Sequence, residues 1–459
     1  MTRAVTIHRL LIANRGEIAA RIIRTCQLLG IETVLGASEA DLASVPARLA
    51  DQVVRLGPPP AAASYLNVGA VVAAARAVRA DAVHPGYGFL SENARLAEAC
   101  ERAGIVFIGP TAEQLRVVGD KLAARRYAVD AGLPVVPGGE VGDLAGARAL
   151  AERLGWPVLV KAAGGGGGRG MSLVTGPAAL ESALERAAFE AGAAFGDARL
   201  YLERYVTSGR HVEVQVLGDG THTVHLGDRD CSIQRRYQKL VEEAPAPGLD
   251  EALRSRMREA AVAYARRLGY RGAGTVEFLV GPERGSFYFL EMNARIQVEH
   301  PVTEAVTGVD LVAEQLAVAE GLPLRISQDS VAPRGHAIEC RVNCEDWLRD
   351  FRPAPGTVTR IALPVGPGLR VDTHVQAGDE IPPYYDSLVA KLIAWGEDRS
   401  EAIERLRSAL RRFTVEGVAT TVPMHLALTR DPEFVAGGVD TTWFARFLQR
   451  RGPTAVARP

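Results

Sequence analysis

Residues 158–171 read VLVKAAGGGGGRGM and residues 275–300 read TVEFLVGPERGSFYFLEMNARIQVEH; the architecture is written most plainly in these two stretches. In the first, the apolar run VLVKA predicts a strand and MSLVTG, after the glycines, predicts another. Five consecutive glycines between two strands make a hairpin tip, where missing Cβ atoms let several backbone N–H groups converge on one anion. Lys161 stands just before that tip, so the segment reads as a cover for phosphate. Gly165, Gly167 and Gly170 satisfy GxGxxG, but a dinucleotide fold needs a helix directly after the motif, and here a strand follows. GxxxxGK[ST] does not occur in the sequence, which excludes a P-loop.

If the second stretch folds as an antiparallel hairpin about residue 284, Glu277 and Glu291 lie opposite each other. Like charges so placed repel unless a cation sits between them, and hard carboxylate oxygens suit Mg²⁺, above all where phosphate oxygens complete the shell. Beyond Glu291 the polar residues Asn293, Arg295, Gln297 and Glu299 alternate with Met292, Ala294, Ile296 and Val298. That period predicts an extended strand with one apolar face and one face of acid, amide, cation, amide, acid.

Working outward, LLIAN, the helix-periodic IAARIIRTCQLLG and the strand-like IETVLGAS open an α/β unit expected over residues 1–110. Residues 111–334 form the second unit, with the glycine hairpin in a subdomain of about 135–207; 335–450 form a third α/β unit, and 451–459 a tail expected to fray. A chain of 459 residues agrees with about three units.

The formal charge is −1 with no block of like charge, so charge-driven nucleic-acid binding is not expected. Charged residues interrupt the N-terminus and no apolar run reaches membrane-spanning length, so the expected location is the cytoplasm. Five scattered Cys suit a reducing compartment and read as buried thiols. The basic residues are lopsided: among 53 Lys and Arg, only Lys121, Lys161, Lys239 and Lys391 are Lys. A compact ammonium acts on phosphate as a point charge that a broad guanidinium does not reproduce, which makes the four survivors suspects. In CSIQRRYQKLVEE, residues 231–243, Arg235, Arg236 and Lys239 crowd into an expected anion-binding loop.

With these residues in view, the chain resembles biotin carboxylases of the ATP-grasp class. HPGYGFLSENA, GDK, VLVKAAGGGGGRGM, RHVEVQVL, RDCSIQRRYQK, GAGTVEFL, EMNARIQVEHPVTE, ECRVN and PPYYDSLVAKL stand in family order from about Leu11 to Phe447. The resemblance implies an α/β ATP-grasp fold with a Rossmann-like N-terminal domain, a mobile lid and a C-terminal biotin carboxylase domain. It implies that ATP and bicarbonate carboxylate biotin on a carrier protein, through carboxyphosphate. It places Lys121, Lys161, Gly167, Gly168, Glu203, Val206, His211 and Tyr237 at ATP, and Glu277, Glu291 and Asn293 at Mg²⁺ or Mn²⁺. Lys239, Arg295, Gln297 and Val298 would hold bicarbonate, Glu299 would be its base, Arg341 would stabilise negative charge on the biotin ureido oxygen, and Tyr87 would lie near biotin. Lys391 falls in a matched block without a role.

Tyr237 stands where well-known members carry His, and Ala163 where Ser is common; the first removes an ionisable imidazole near the nucleotide. No Met-Lys-Met occurs, so the biotin is expected on another chain, with a biotin carboxyl carrier protein and the carboxyltransferase as partners. The resemblance also implies a homodimer and, as final acceptor, acetyl-CoA, hence fatty acid biosynthesis, with pyruvate and urea as alternatives. The competing functions are another ATP-grasp carboxylate ligase and a regulatory nucleotide-binding protein without catalysis.

Overall fold

The computed structural model describes residues 5–164, 171–282 and 285–451. Leu10, Leu11 and Ile12 are completely buried, as in a strand covered by helices on both faces. Arg9–Ile12 is the middle of a five-stranded parallel sheet ordered Gln52–Gly57, Glu32–Ser38, Arg9–Ile12, Ala82–His84, Val106–Phe107. Helix Gly16–Leu29 leaves this middle strand at once. Gly16 has φ +68°, and a Cβ there would still clear the His374 ring at 3.6 Å, so glycine serves the left-handed turn rather than the space. The sequence pattern does not announce the edge strand Gln52–Gly57: it is half exposed and carries Arg55, so its alternation is weak.

The second sheet is antiparallel and eight-stranded, in the order Phe287–Asn293, Arg271–Val280, Arg210–Asp219, Thr223–Arg235, Gln238–Ala244, His336–Asn343, Leu388–Gly396, Leu369–Thr373. It runs without a break past residue 335, with Val241 opposite Cys340. Ile233, Leu240 and Val241 accordingly share one core with Cys340, Val342, Leu392 and the helix residues Trp443, Phe444 and Phe447. A third sheet, Gly138–Val141, Leu200–Arg204, Val158–Ala162, Met171–Val174, carries helices Leu144–Leu154 and Leu180–Phe195. It has its own core of Ala147, Leu150, Val158, Val160, Leu180, Leu184 and Leu202. All five cysteines are buried and free. Among the described residues no helix is long and apolar enough to cross a membrane.

Two local expectations need correction. The strand that begins at Phe287 stops at Asn293, and helix His300–Thr307 follows after a short connection. Ala294, Ile296, Gln297 and Glu299 are all buried, so the alternation does not mark a solvated and a buried face, and the Ala294 N–H donates to Glu92 Oε1 at 2.9 Å rather than to a neighbouring strand. Nor is CSIQRRYQK a loop. Strands Thr223–Arg235 and Gln238–Ala244 continue into a two-residue turn, Arg235 pairing with Gln238. Arg236 and Tyr237 hold φ +49° and +65°, the conformation that two-residue hairpins usually give to Asn-Gly. The turn therefore stores strain of about 1–3 kcal/mol per non-glycine residue.

Candidate active site

Between the four-stranded and eight-stranded sheets lies a cavity of about 610 Å³. Lys121, Lys161, Glu203, Val206, His211, Tyr237, Glu277 and Glu291 all line it, although each comes from a different element or turn. Gly167 and Gly168 lie outside the described residues. Tyr237, 58% exposed, stands at the rim.

The hairpin register places Glu277 opposite Glu291. Glu277 Oε1 accepts from Lys239 at 2.8 Å, Asn293 Nδ2 at 2.9 Å and Gln297 Nε2 at 3.2 Å, while its Oε2 lies 3.1 Å from His211 Nε2. Burial alone would raise the Glu277 carboxyl, but Lys239 and then His211 hold it well below the usual range. His211 is pushed up in return: burial, the largest single influence, opposes its charge, and Glu277 together with Glu213 turns the net shift upward. Glu291 is half-buried, with Lys121 Nζ at 3.8 Å, and its charge also acts on Lys161. Glu213 comes close enough to His211 and Glu277 to complete a three-ligand cluster. Its oxygens, however, are taken by Arg229 at 2.6 Å and Lys239 at 2.5 Å. Glu277 is bonded as well, but its Oε2 faces His211 alone, and this oxygen with the half-buried Glu291 would make the hard-oxygen pair for a divalent cation. Asn293 joins only if its amide turns, because its Oδ1 now accepts from Arg295 at 2.9 Å.

Lys239 is the centre of charge. Its ammonium donates to Glu213, Glu277 and Glu299, the last at 2.7 Å, and these carboxylates raise it well above the usual lysine value against the opposing effect of burial. Glu299 is completely buried; its other oxygen accepts from Arg341 Nη2 at 2.9 Å. Burial pushes this carboxyl up, but Lys239, then Arg341 and Arg229, hold it well below the usual range, so it is ionised at any working pH. Arg341 also donates Nε to Glu242 at 2.6 Å. Burial raises Glu242 to about 7, an effect that Arg341 moderates.

Arg295 reaches Gln297 Oε1 at 2.8 Å and Glu92 Oε2 at 3.0 Å; Gln297 bonds Glu277 directly, and Glu299 is linked to it through Lys239. Val298 offers its backbone carbonyl to Lys391 at 2.8 Å. Tyr87 stands apart from the large cavity. It lines a smaller one of about 230 Å³ with His374 and Tyr385, and its hydroxyl bonds Glu17. In the four-stranded sheet, Lys161 pairs with Glu203 across adjacent strands. Burial lowers Lys161 and Glu203 raises it further, leaving it above the ordinary lysine value.

Several contributors have no role in the sequence reading. Glu213 and Arg229 stand in the matched blocks RHVEVQVL and RDCSIQRRYQK without an assignment, yet Arg229 is fully buried and also binds Gln215, Thr275 and Thr303. Thr441, Thr442, Phe444, Ala445 and Leu448 close the cavity from the far end of the chain. A buried Arg in a strand is a clue only once its partners are in place.

Comparison with known proteins gives three family matches: "Biotin carboxylase, N-terminal domain" over residues 6–115, "Carbamoyl-phosphate synthase L chain, ATP binding domain" over 120–327 and "Biotin carboxylase C-terminal domain" over 339–446. A biotin carboxylase of Nostoc sp. is 52% identical over 438 residues, covering 95% of this chain and 98% of the relative. A pyruvate carboxylase subunit of Methanothermobacter thermautotrophicus is 48% identical, covering 98% and 91%. Among solved structures, the biotin carboxylase domain dimer of Hydrogenobacter thermophilus 2-oxoglutarate carboxylase, in complex with MgADP, ADP and bicarbonate, superposes with a TM-score of 0.93 at 43% identity, covering 99% of this chain and 100% of that one.

Proposed function

Since the chain belongs to the biotin carboxylase family and is an ATP-dependent ligase, we propose that Glu299, Lys239, Arg295 and Arg341 run its reaction inside the cavity described above. ATP and bicarbonate form carboxyphosphate and ADP; the carboxyl group then passes from carboxyphosphate to the ureido nitrogen of biotin on a separate carrier protein, releasing phosphate, which takes the biotin N–H proton. Lys121, Lys161, His211, Glu203, Val206 and Tyr237 receive the nucleotide, with Gly167 and Gly168 at its phosphates. Glu277 and Glu291, with a turned Asn293, hold Mg²⁺ or Mn²⁺, which neutralises phosphate charge when bound.

The observation that carries this assignment is the single ammonium of Lys239 shared by a metal-holding acid, Glu277, and a base, Glu299. While both its oxygens face cations, Glu299 is a poor base. Bicarbonate is an anion that competes for Lys239, with Arg295, Gln297 and Val298 completing its cradle. When it draws Lys239 away, one Glu299 oxygen is freed beside the bicarbonate O–H and takes its proton. The bicarbonate oxygen then attacks the γ-phosphorus, a step in which positioning and charge neutralisation supply most of the rate. Arg341, already charged and half-buried, next stabilises negative charge on the biotin ureido oxygen, with Tyr87 beside the ring.

Glu299→Gln tests this assignment. It should retain ATP binding and lose bicarbonate-dependent ATP cleavage by about 10²–10⁴-fold; unchanged turnover refutes Glu299 as base. We further propose units at 1–110, 111–334 with its lid at 135–207, and 335–450, a cytoplasmic homodimer, and acetyl-CoA as final acceptor. Relatives serving pyruvate and 2-oxoglutarate carboxylases keep a 2-oxo acid as the second reading. Co-purification of the native complex identifies the carboxyltransferase and decides between them.

A further inference from the structure

Three of the four lysines line the nucleotide cavity or reach into its acids; Lys391 does neither. It projects from strand Leu388–Gly396, paired in register with Arg341, and its side chain is completely buried. Its ammonium donates to the backbone carbonyl of Val298 at 2.8 Å and stands 3.1 Å from Glu17 Oε2. Asp372 is farther, at 3.9 Å, and is already gripped by Arg370 through bonds of 2.9 and 2.7 Å. Glu17 belongs to the first turn of helix Gly16–Leu29, and its other oxygen accepts from the Tyr87 hydroxyl. One buried cation therefore ties together the first helix, the C-terminal strand and the connection that carries Glu299. In a chain where Arg has replaced nearly every Lys, a sealed site of this kind explains why this one stayed: a guanidinium is broader and longer than the space an ammonium fills.

The Val298 carbonyl shares its peptide plane with the backbone N–H of Glu299. Glu299 in turn caps helix His300–Thr307 with φ −82° and ψ 9°. Fixing that plane fixes the direction in which the Glu299 side chain leaves the backbone, and so where its oxygens meet Lys239 and Arg341. We propose that Lys391 is a positioning residue for the bicarbonate step, holding the Val298–Glu299 peptide so that the base and the bicarbonate cradle stay in register. This rests on Glu299 being the base.

Lys391→Met keeps the length of the side chain and removes both charge and donor. Because it also strands the buried Glu17 carboxylate, Glu17→Gln/Lys391→Met is made beside it, with a neutral pair at the same place. Initial rates of ATP cleavage are measured against bicarbonate at saturating ATP and against ATP at saturating bicarbonate, together with the thermal midpoint. In both variants kcat/KM for bicarbonate should fall about 10- to 100-fold while KM for ATP stays put; the double variant should regain thermal stability without regaining the bicarbonate parameter. If it regains both, Lys391 merely balances the charge of Glu17, and the proposal fails. It fails equally if the ATP and bicarbonate parameters decline together. Glu299→Gln run in parallel separates the two levels: an active Glu299→Gln sinks the base assignment, whereas an inactive Glu299→Gln with a bicarbonate-normal Lys391→Met sinks only the positioning role.

Discussion

Replacing Lys239 by Met removes the one positive charge that three buried carboxylates share, at 2.5, 2.8 and 2.7 Å. Each contact represents a gross attraction of about 6 kcal/mol at an effective dielectric constant near 20. Most of that is offset by desolvation, and losing one partner of a buried ion pair costs about 3–5 kcal/mol net. The chain should still fold, because Arg229 remains on Glu213, His211 on Glu277 and Arg341 on Glu299. In the parent protein Glu277 and Glu299 are held below their unfolded values, so they add stability above the unfolded carboxylate pKa and lose it as pH falls. Without Lys239 the three acids repel, and one is driven above its unfolded value, adding stability that disappears as pH rises. The deficit of Lys239→Met should therefore be greatest near about pH 8 and shrink toward about pH 5, as read from urea midpoints of the two proteins across that range. Mn²⁺ without nucleotide should raise the midpoint of the variant more than that of the parent, because it replaces the missing charge. A deficit that is flat with pH, or insensitive to Mn²⁺, would refute the shared-ammonium account.

Arg229→Met, deep in the sheet, should lower stability by about 3–5 kcal/mol in urea unfolding, since it leaves Glu213 with a single cation and Gln215, Thr275 and Thr303 without their donor. Tyr237→His, at the rim of the cavity, should add to nucleotide affinity a pH dependence near about pH 6.5 beyond that of the parent, in which His211 already lines the cavity, as measured by calorimetric titration. The same pH profile in both proteins would remove that side chain from the nucleotide site.

How much of the site is visible in the sequence follows from range. The glycine hairpin, the opposition of Glu277 and Glu291 and the parallel opening unit depend on periodicity and turn length, which neighbouring residues set. The segment 294–299 defeated the same logic: its alternating polar residues look like one face of a strand, but polar and apolar positions alike are buried, the Ala294 N–H turns to Glu92, and the strand ends at Asn293. The QRRYQK block disguised a tight hairpin as a loop, because Arg236 and Tyr237 occupy backbone angles that their residue types disfavour and that only the flanking strand pairing enforces.

The linear chain by itself thus determined the family, the paired strands on either side of the glycine run and the acid pair, each written in short motifs whose chemistry is local. Only the tertiary structure decided that Lys239 belongs to three acids at once, that Arg229 and Glu213 sustain them, and that Lys391 bonds the carbonyl next to Glu299. A buried charge is defined by the partners that replace its water, and along the chain those partners are distant: 14 residues separate Arg229 from Gln215, and 93 separate Lys391 from Val298.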